Sequence, residues 1–212
     1  MRIPLIIATS VVALSAASPA AAQPAEAWQI GPIIGSRNFS VGMPLSPTPA
    51  RRGWYFDFPY PTARAGHVHY VSFNHGPLTG KRRIVMRYRI DAAPGVRFVP
   101  QERPNEPATI SLVFQQRGDN WTGRGRYGSY RWYSPGATVQ PITPGEHVMV
   151  ANLDPGWTNV NGGAVAADPR GFANALEDTQ RVGIVFGSSG LRGHGVFATG
   201  PARVTVLSFQ VM

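Results

Sequence analysis

The clearest pattern in this chain is an alternation of apolar and polar residues. In residues 82–91 an apolar side chain occupies every second position, and arginine fills most positions between. A period of two is the period of a half-buried strand. One face of the strand is therefore predicted to be buried and the other to carry arginines. The predicted buried set is Ile84, Met86, Tyr88 and Ile90, and the predicted outward set is Arg83, Arg87 and Arg89.

Similar short segments recur along the chain, at residues 66–74, 96–99, 110–116, 146–153 and 182–211. Glycine, proline and asparagine clusters separate them, as at Pro144-Gly145 and in residues 154–163. Roughly nine short strands with turns between them are typical of an antiparallel sandwich. We predict an all-β protein, an antiparallel β-sandwich or jelly roll occupying residues 53–212.

A single short helix interrupts this pattern before the last strands. Asp168 can cap it, because an aspartate oxygen accepts the unpaired backbone N–H groups of a first turn, and Pro169 suits the first helical position. Phe172, Ala175 and Leu176 share one face of the helix. The helix is predicted to cover one end of the sandwich.

The end of the chain resembles a known family of sugar-binding domains. A helix over residues 172–178 precedes VGIVFG, a glycine-rich turn and the long terminal strand RVTVLSFQV. This order resembles the closing half of galactose-binding-like jelly rolls, the scaffold of many carbohydrate-binding modules. Many such modules hold a structural calcium through acids near the first and last strands. Here the last strand has no acid and only Asp57 stands near the first, so no cofactor is predicted.

The N-terminal region has a different composition. Arg2, an apolar run and Ala20-Ala21-Ala22 form the pattern of a secretory signal peptide over residues 1–22. Residues 23–52 are rich in proline, and we interpret them as a linker or loosely attached arm. No later segment is long and apolar enough to predict a membrane span. The protein is therefore predicted to be exported to the periplasm or the medium.

Composition limits the chemistry. Cysteine is absent, which excludes disulfides and thiolate catalysis, and no motif of a P-loop, HExxH or GxSxG type is present. The net charge is +9, with 20 basic residues, of which all but Lys81 are arginine. Such a balance favours acidic partners such as uronate polymers. Export argues against nucleic acid as the partner.

Aromatic and amide residues in loops form the main candidate site. An aromatic plate matches the apolar face of a sugar, and adjacent polar groups match its hydroxyls. Trp121 and Trp157 lie in glycine- and asparagine-rich loops that a sandwich can bring together at one end. The predicted ligand-binding residues are Trp121, Trp157, Tyr133, Arg131, Asn120, Asn159, Asn161 and His194. Trp121 and Trp157 have a structural alternative as core residues, and Asn159 and Asn161 as turn residues.

Histidine and arginine offer two weaker candidates. His67 and His69 lie on one face of a strand and His147 on a later one, which partly matches the metal-binding pattern of cupins but lacks its glutamate. The face of Arg83, Arg87 and Arg89 could bind carboxylated glycans, or it could be an ordinary solvated surface. Neither pattern completes a site, and no metal ligand set is predicted.

Together these patterns predict an exported glycan-binding sandwich without catalytic activity. The first alternative is a secreted polysaccharide lyase or hydrolase on the same scaffold. Jelly-roll lyases use His, Tyr, Arg and Gln on a concave face, and all four residue types occur here, but their motifs do not match Gln115, Gln116 or Arg117. A structural or interaction protein of the envelope is the third. An enzyme needs a general acid or base in a cleft, whereas a binding protein needs only an aromatic and polar rim.

Overall fold

The computed structural model describes residues 23–212, and the predicted signal peptide lies outside the described residues. The strands are β1 (Trp28–Gly31), β2 (Ile33–Ile34), β3 (Arg37–Asn38), β4 (Thr48–Pro49), β5 (Trp54–Asp57), β6 (Tyr70–Asn74), β7 (Arg83–Ala92), β8 (Phe98–Pro100), β9 (Thr109–Gln116), β10 (Arg131–Tyr133), β11 (Gln140–Pro141), β12 (Gly145–Asn152), β13 (Thr158–Asn159), β14 (Thr179–Gly187), β15 (Val196–Ala198) and β16 (Ala202–Val211). The one α-helix within residues 23–212, α1, spans Pro169–Glu177, and 3-10 helices span Ala25–Ala27, Gly125–Ser129, Gly136–Thr138 and Val165–Ala167.

Two antiparallel sheets enclose the core. The seven-stranded sheet runs β1-β6-β14-β9-β10-β13, with β11 also paired to β9. The five-stranded sheet runs β12-β7-β16-β5-β4. Two small two-stranded pairs, β8 with β15 and β2 with β3, complete the structure. The predicted β-sandwich is confirmed, and no helix within residues 23–212 is long and apolar enough to span a membrane.

The alternation in β7 sets the orientation of the five-stranded sheet. Ile84, Met86, Tyr88 and Ile90 are each at most 1 % exposed. The arginines between them are exposed on the outer face. The predicted buried and outward sets are therefore both confirmed.

The helix begins where its capping residues predict. The Asp168 side chain accepts a hydrogen bond from the Gly171 backbone N–H at 2.9 Å, and Pro169 is the first helical residue. Phe172 and Ala175 are buried. The Phe172 ring packs against Trp132 of β10 at 5.0 Å between centroids, which fixes the helix beside the seven-stranded sheet.

Residues 23–52, interpreted above as a linker or arm, contribute to the sandwich. Strand β1 pairs along its whole length with β6, and Trp28 and Ile30 are 1 % and 0 % exposed. The Trp28 ring lies 4.6 Å from that of Trp54 in the opposite sheet. These buried side chains attach the segment to the core, which its high proline content does not indicate. Residues 33–38 add only the short β2–β3 pair.

Candidate functional site

Trp157 lies in the core and not at a loop surface. Its side chain is 0 % exposed, its ring packs 4.9 Å from that of Phe114, and its Nε1 donates to the Asn152 carbonyl at 2.7 Å. An indole enclosed in this way has no face left for a sugar. Trp157, which the sequence predicts to bind ligand together with Trp121, is therefore a core residue and not a ligand-binding one.

The loop asparagines have structural roles. Asn159 Oδ1 accepts backbone hydrogen bonds from Asn161 and Gly163, and Asn161 Nδ2 donates to the Gly123 carbonyl at 2.9 Å. The loop that follows Trp157 therefore contacts the loop that follows Trp121, as predicted. This contact holds the two loops together and does not line a binding site. Asn120 is exposed, and its Oδ1 accepts from the Thr122 backbone and hydroxyl in a turn.

His194 also lies apart from the other candidates. Its Nδ1 is 3.0 Å from Glu102 Oε2, and both side chains are about half exposed. The predicted site residues that do come together are Trp121, Arg131 and Tyr133.

A lateral row of three polar side chains crosses the outer face of the seven-stranded sheet. Gln115 of β9 lies opposite Arg131 of β10 and opposite Arg181 of β14 in the strand register. The preceding Phe114 and following Val182 belong to the core. Because side chains alternate between faces along a strand, the row lies on the face away from the core. Two guanidinium groups therefore flank one amide.

Arg131 is held in a buried network. Its Nε donates to Asp119 Oδ2 at 3.0 Å, and the two side chains are 5 % and 0 % exposed. Gln115 Nε2 donates to the same oxygen at 2.8 Å. Arg131 Nη1 lies 3.3 Å from Tyr70 Oη, which is 2.6 Å from Tyr133 Oη. Although burial by itself lowers the pKa of Arg131, the two tyrosines and Asp119 raise it overall, so the guanidinium stays charged.

Trp121 covers this network. Its ring lies 4.6 Å from the Arg131 guanidinium and 5.0 Å from the Tyr70 ring. Its φ of 69° places a bulky residue in the left-handed region, where side chains other than glycine are rare. The Asp119 side chain accepts from the Trp121 backbone N–H at 2.9 Å and so helps to hold this conformation. The indole remains partly exposed, as a fixed plate at the protein surface.

Two adjoining cavities open beside the row. The larger, which we name the Trp121 cavity, has a volume of about 170 Å³. The smaller, which we name the inner cavity, has a volume of about 10 Å³, enough for about one water molecule. Gln115, Trp121 and Arg181 line both. The inner cavity adds Tyr70, Ser72, Val113, Arg131 and Val182, and the Trp121 cavity adds Gln29, Ile33, Asp119 and Gln180.

Seven polar residues at these cavities were not among the predicted site residues: Gln29, Tyr70, Ser72, Gln115, Asp119, Gln180 and Arg181. Gln29 and Gln180 line the Trp121 cavity, and neither side chain is hydrogen-bonded to the described residues. Arg181 Nη1 is 3.4 Å from Ser72 Oγ, and no carboxylate of the described residues pairs with Arg181. Burial lowers the pKa of Arg181 from its ordinary value. The only sequence feature that could have indicated Arg181 is its position as a charged residue directly before the apolar run of β14.

A glycine-rich loop encloses the far side of the network. Residues 188–195 cross the sheet so that a side chain at Gly193 would overlap the Tyr70 hydroxyl, and Gly193 has a φ of 85°. Arg192 in this loop lies 5.0 Å from the Tyr133 ring and donates to the Ser134 carbonyl at 2.6 Å. The tyrosine pair is therefore sealed on this side, and the accessible part of the site is the Trp121 side.

His69 anchors the same loop. Its Nδ1 is 2.7 Å from the Gly193 carbonyl, and its Nε2 is buried without a partner among the described residues. Burial lowers the pKa of His69 to about 4, despite that hydrogen bond, and the nearby His67 and His194 lower it further while Glu102 opposes them. His69 is therefore neutral at pH 7 and donates from Nδ1.

We expect this histidine to make stability depend on pH. The unfolded chain takes up its proton near 6.5, whereas the folded protein does so only near 4. The contribution is therefore complete above pH 6.5 and is lost as the pH falls toward 4. Between pH 7 and 4.5 it amounts to about 2 kcal/mol. Urea unfolding of wild type and His69→Asn at both pH values should show a smaller loss in the variant, and equal losses would contradict the assignment.

His147 does not join the other histidines. Its ring stacks on Tyr88 at 5.1 Å in the five-stranded sheet, and its Nε2 contacts the Thr143 carbonyl. Within residues 23–212 no group of three His, Asp or Glu side chains could hold a metal ion.

A larger groove lies on the outer face of the five-stranded sheet. It has a volume of about 580 Å³, but its charged side chains are already paired. Arg203 contacts Asp57 at 2.7 and 2.9 Å, and Arg89 contacts Asp91 at 2.9 Å. A ligand here would have to compete with those partners. The Trp121 cavity, although smaller, offers unpaired polar groups and a fixed aromatic plate.

The chain matches no family model, and no curated protein is significantly similar to it.

Proposed function

We propose that this protein is exported and binds glycan without catalysing a reaction, and that the Trp121 cavity is its sugar site. One observation carries the proposal. The partly exposed indole of Trp121 is fixed at the edge of a cavity whose other walls include the amides of Gln29 and Gln180. An aromatic plate beside unpaired amides matches the two surfaces of a sugar, its apolar C–H face and its hydroxyls.

Rigidity also supports binding at this site. The cation–π contact with Arg131 and the hydrogen bond that the Trp121 backbone N–H donates to Asp119 restrict Trp121 before any ligand arrives. A plate that is already ordered loses little conformational entropy when it binds. The left-handed backbone at Trp121 costs stability, and such strain is concentrated at functional sites.

The buried polar groups are better suited to support than to catalysis. Burial, as the largest cause, raises the pKa of Tyr133 well above its ordinary value, so its hydroxyl stays protonated. The Asp119 carboxylate is occupied by Gln115, Arg131 and the Trp121 backbone. The enzyme alternative rests on the close contact between the Tyr70 and Tyr133 hydroxyls beside Arg131, since a tyrosine activated there would be a candidate base.

We expect Trp121→Ala to weaken glycan binding by roughly ten- to hundredfold, because the variant loses one stacking plate worth about 1–3 kcal/mol. Trp121→Phe should retain part of the affinity. A glycan array with the mature protein identifies the ligand, and calorimetry then measures the variants. Tyr60→Ala is the matched control, because Tyr60 is an aromatic residue that is 49 % exposed and does not line the Trp121 cavity.

Assays of the same wild-type protein and variants distinguish the three candidate functions. An array blank for neutral and acidic sugars alike would remove the binding proposal and favour a structural or interaction protein. Depolymerisation of a polysaccharide by the wild type, seen as new chain ends, would establish the enzyme alternative. Equal losses in Trp121→Ala and Tyr60→Ala would move the site elsewhere.

A further inference from the structure

We propose that the sugar bound at the Trp121 cavity is a uronate, and that its carboxylate reaches into the inner cavity to pair with Arg131 and Arg181. This inference rests on the proposed glycan-binding function and specifies the chemical class of its ligand.

Unsatisfied positive charge is the first argument. Arg131 has one carboxylate partner, Asp119, whereas Arg181 has none among the described residues. The pair of cavities therefore carries an excess of one positive charge in a partly buried environment. A buried charge without a partner is costly, and an anionic ligand would remove that cost.

An unpaired donor is the second argument. The Arg131 side chain is only 5 % exposed, yet its Nη2 has no hydrogen-bond partner in residues 23–212. Buried donors are nearly always satisfied, so one left open beside a cavity points to a missing acceptor. Arg131 lines the inner cavity, where the acceptor would lie.

Size and shape favour a carboxylate. The inner cavity has space for about one oxygen atom, at about 10 Å³, and adjoins the larger cavity along the wall formed by Gln115, Trp121 and Arg181. One carboxylate oxygen fits the inner cavity while the second stays near Arg181. A flat two-oxygen group suits guanidinium forks, whereas a sulfate presents a third terminal oxygen to the same narrow space. The sugar ring attached to the carboxylate would then lie in the Trp121 cavity against the indole.

The wild-type protein provides the first test. Its binding to oligosaccharides of galacturonate, alginate and hyaluronan is compared with binding to their carboxyl-reduced, neutral counterparts and to dextran sulfate. We expect at least one uronate to bind more tightly than its reduced form by roughly tenfold to hundredfold, the range of a hydrogen bond to a charged group. Equal binding of the reduced sugar, or equal binding of dextran sulfate, would overturn the uronate assignment and leave glycan binding intact. No binding by any sugar would refute the proposed function itself.

Two charge-matched variants provide the second test. Arg181→Gln should lose the preference for the carboxylated sugar and bind both forms with similar, weaker affinity. Arg83→Gln removes the same charge from an exposed position on the five-stranded sheet and should keep the preference. An equal loss in both variants would assign the preference to overall charge and overturn the site. The comparison of native and reduced sugars on the wild type decides the question even if Arg181→Gln does not fold.

Discussion

Ile84→Asp is expected to unfold the domain. Ile84 is 0 % exposed and lies between Ala151 of β12 and Val211 of β16 in the five-stranded sheet. A carboxylate at this position would be buried without a partner, at a cost of several kcal/mol. Since domains of this kind have total stabilities of about 5–15 kcal/mol, such a loss removes most or all of the folded population.

Arg87→Asp is the matched control, because it places the same side chain on the same strand facing solvent. Thermal melting followed by circular dichroism should show cooperative unfolding for Arg87→Asp near the wild-type temperature and no folded baseline for Ile84→Asp. A wild-type melt for Ile84→Asp would contradict the assigned orientation of the sheet, and a spectrum dominated by helix in the wild type would contradict the sandwich.

The sequence predicts the parts of this fold that local physics determines. Strand β7 is recognisable because its period of two runs through ten residues, with Ile84 buried and Arg83 exposed. Helix α1 is recognisable because capping depends on Asp168 and its immediate neighbours. In both cases the information lies within one segment, and no distant contact reverses it.

Burial of isolated aromatic residues is not predictable in the same way. Trp157 lies in DPGWTNVNGG, a segment rich in turn-forming residues, and its burial depends on Phe114, which lies 43 residues earlier in β9. Trp28 is similar, since prolines surround its short strand and only pairing with β6 reveals its role. Tertiary packing determines whether such residues are buried, and the local pattern of apolar and polar residues does not indicate it.

The site was only partly predictable for a related reason. Trp121 and Arg131 carry chemistry suited to a sugar wherever they lie, so residue type alone identified them. Arg181 belongs to the site only because the strand register places it opposite Gln115. Three strands distant in sequence must align before the row exists, and a single sequence does not specify that alignment.

The second large effect concerns the ion pair beneath the indole. Asp119→Asn should lower the free energy of unfolding by about 3 kcal/mol, because it leaves the Arg131 charge buried without its partner. Asp57→Asn breaks an ion pair of comparable length, 2.7 Å against 3.0 Å, whose side chains are 41 % and 58 % exposed. Surface pairs contribute less than about 1 kcal/mol, so this control should be nearly neutral.

A double variant shows whether the loss of stability in Asp119→Asn comes from the unpaired Arg131 charge or from the other hydrogen bonds of Asp119. Adding Arg131→Met to Asp119→Asn removes the orphaned charge, and we expect it to recover much of the lost stability, since apolar replacement of both partners of a buried pair is often tolerated. Urea denaturation of the two single variants and the double variant measures the coupling. Equal destabilisation by Asp119→Asn and Asp57→Asn, or no recovery in the double variant, would show that the network beneath Trp121 is not held by a buried charge pair.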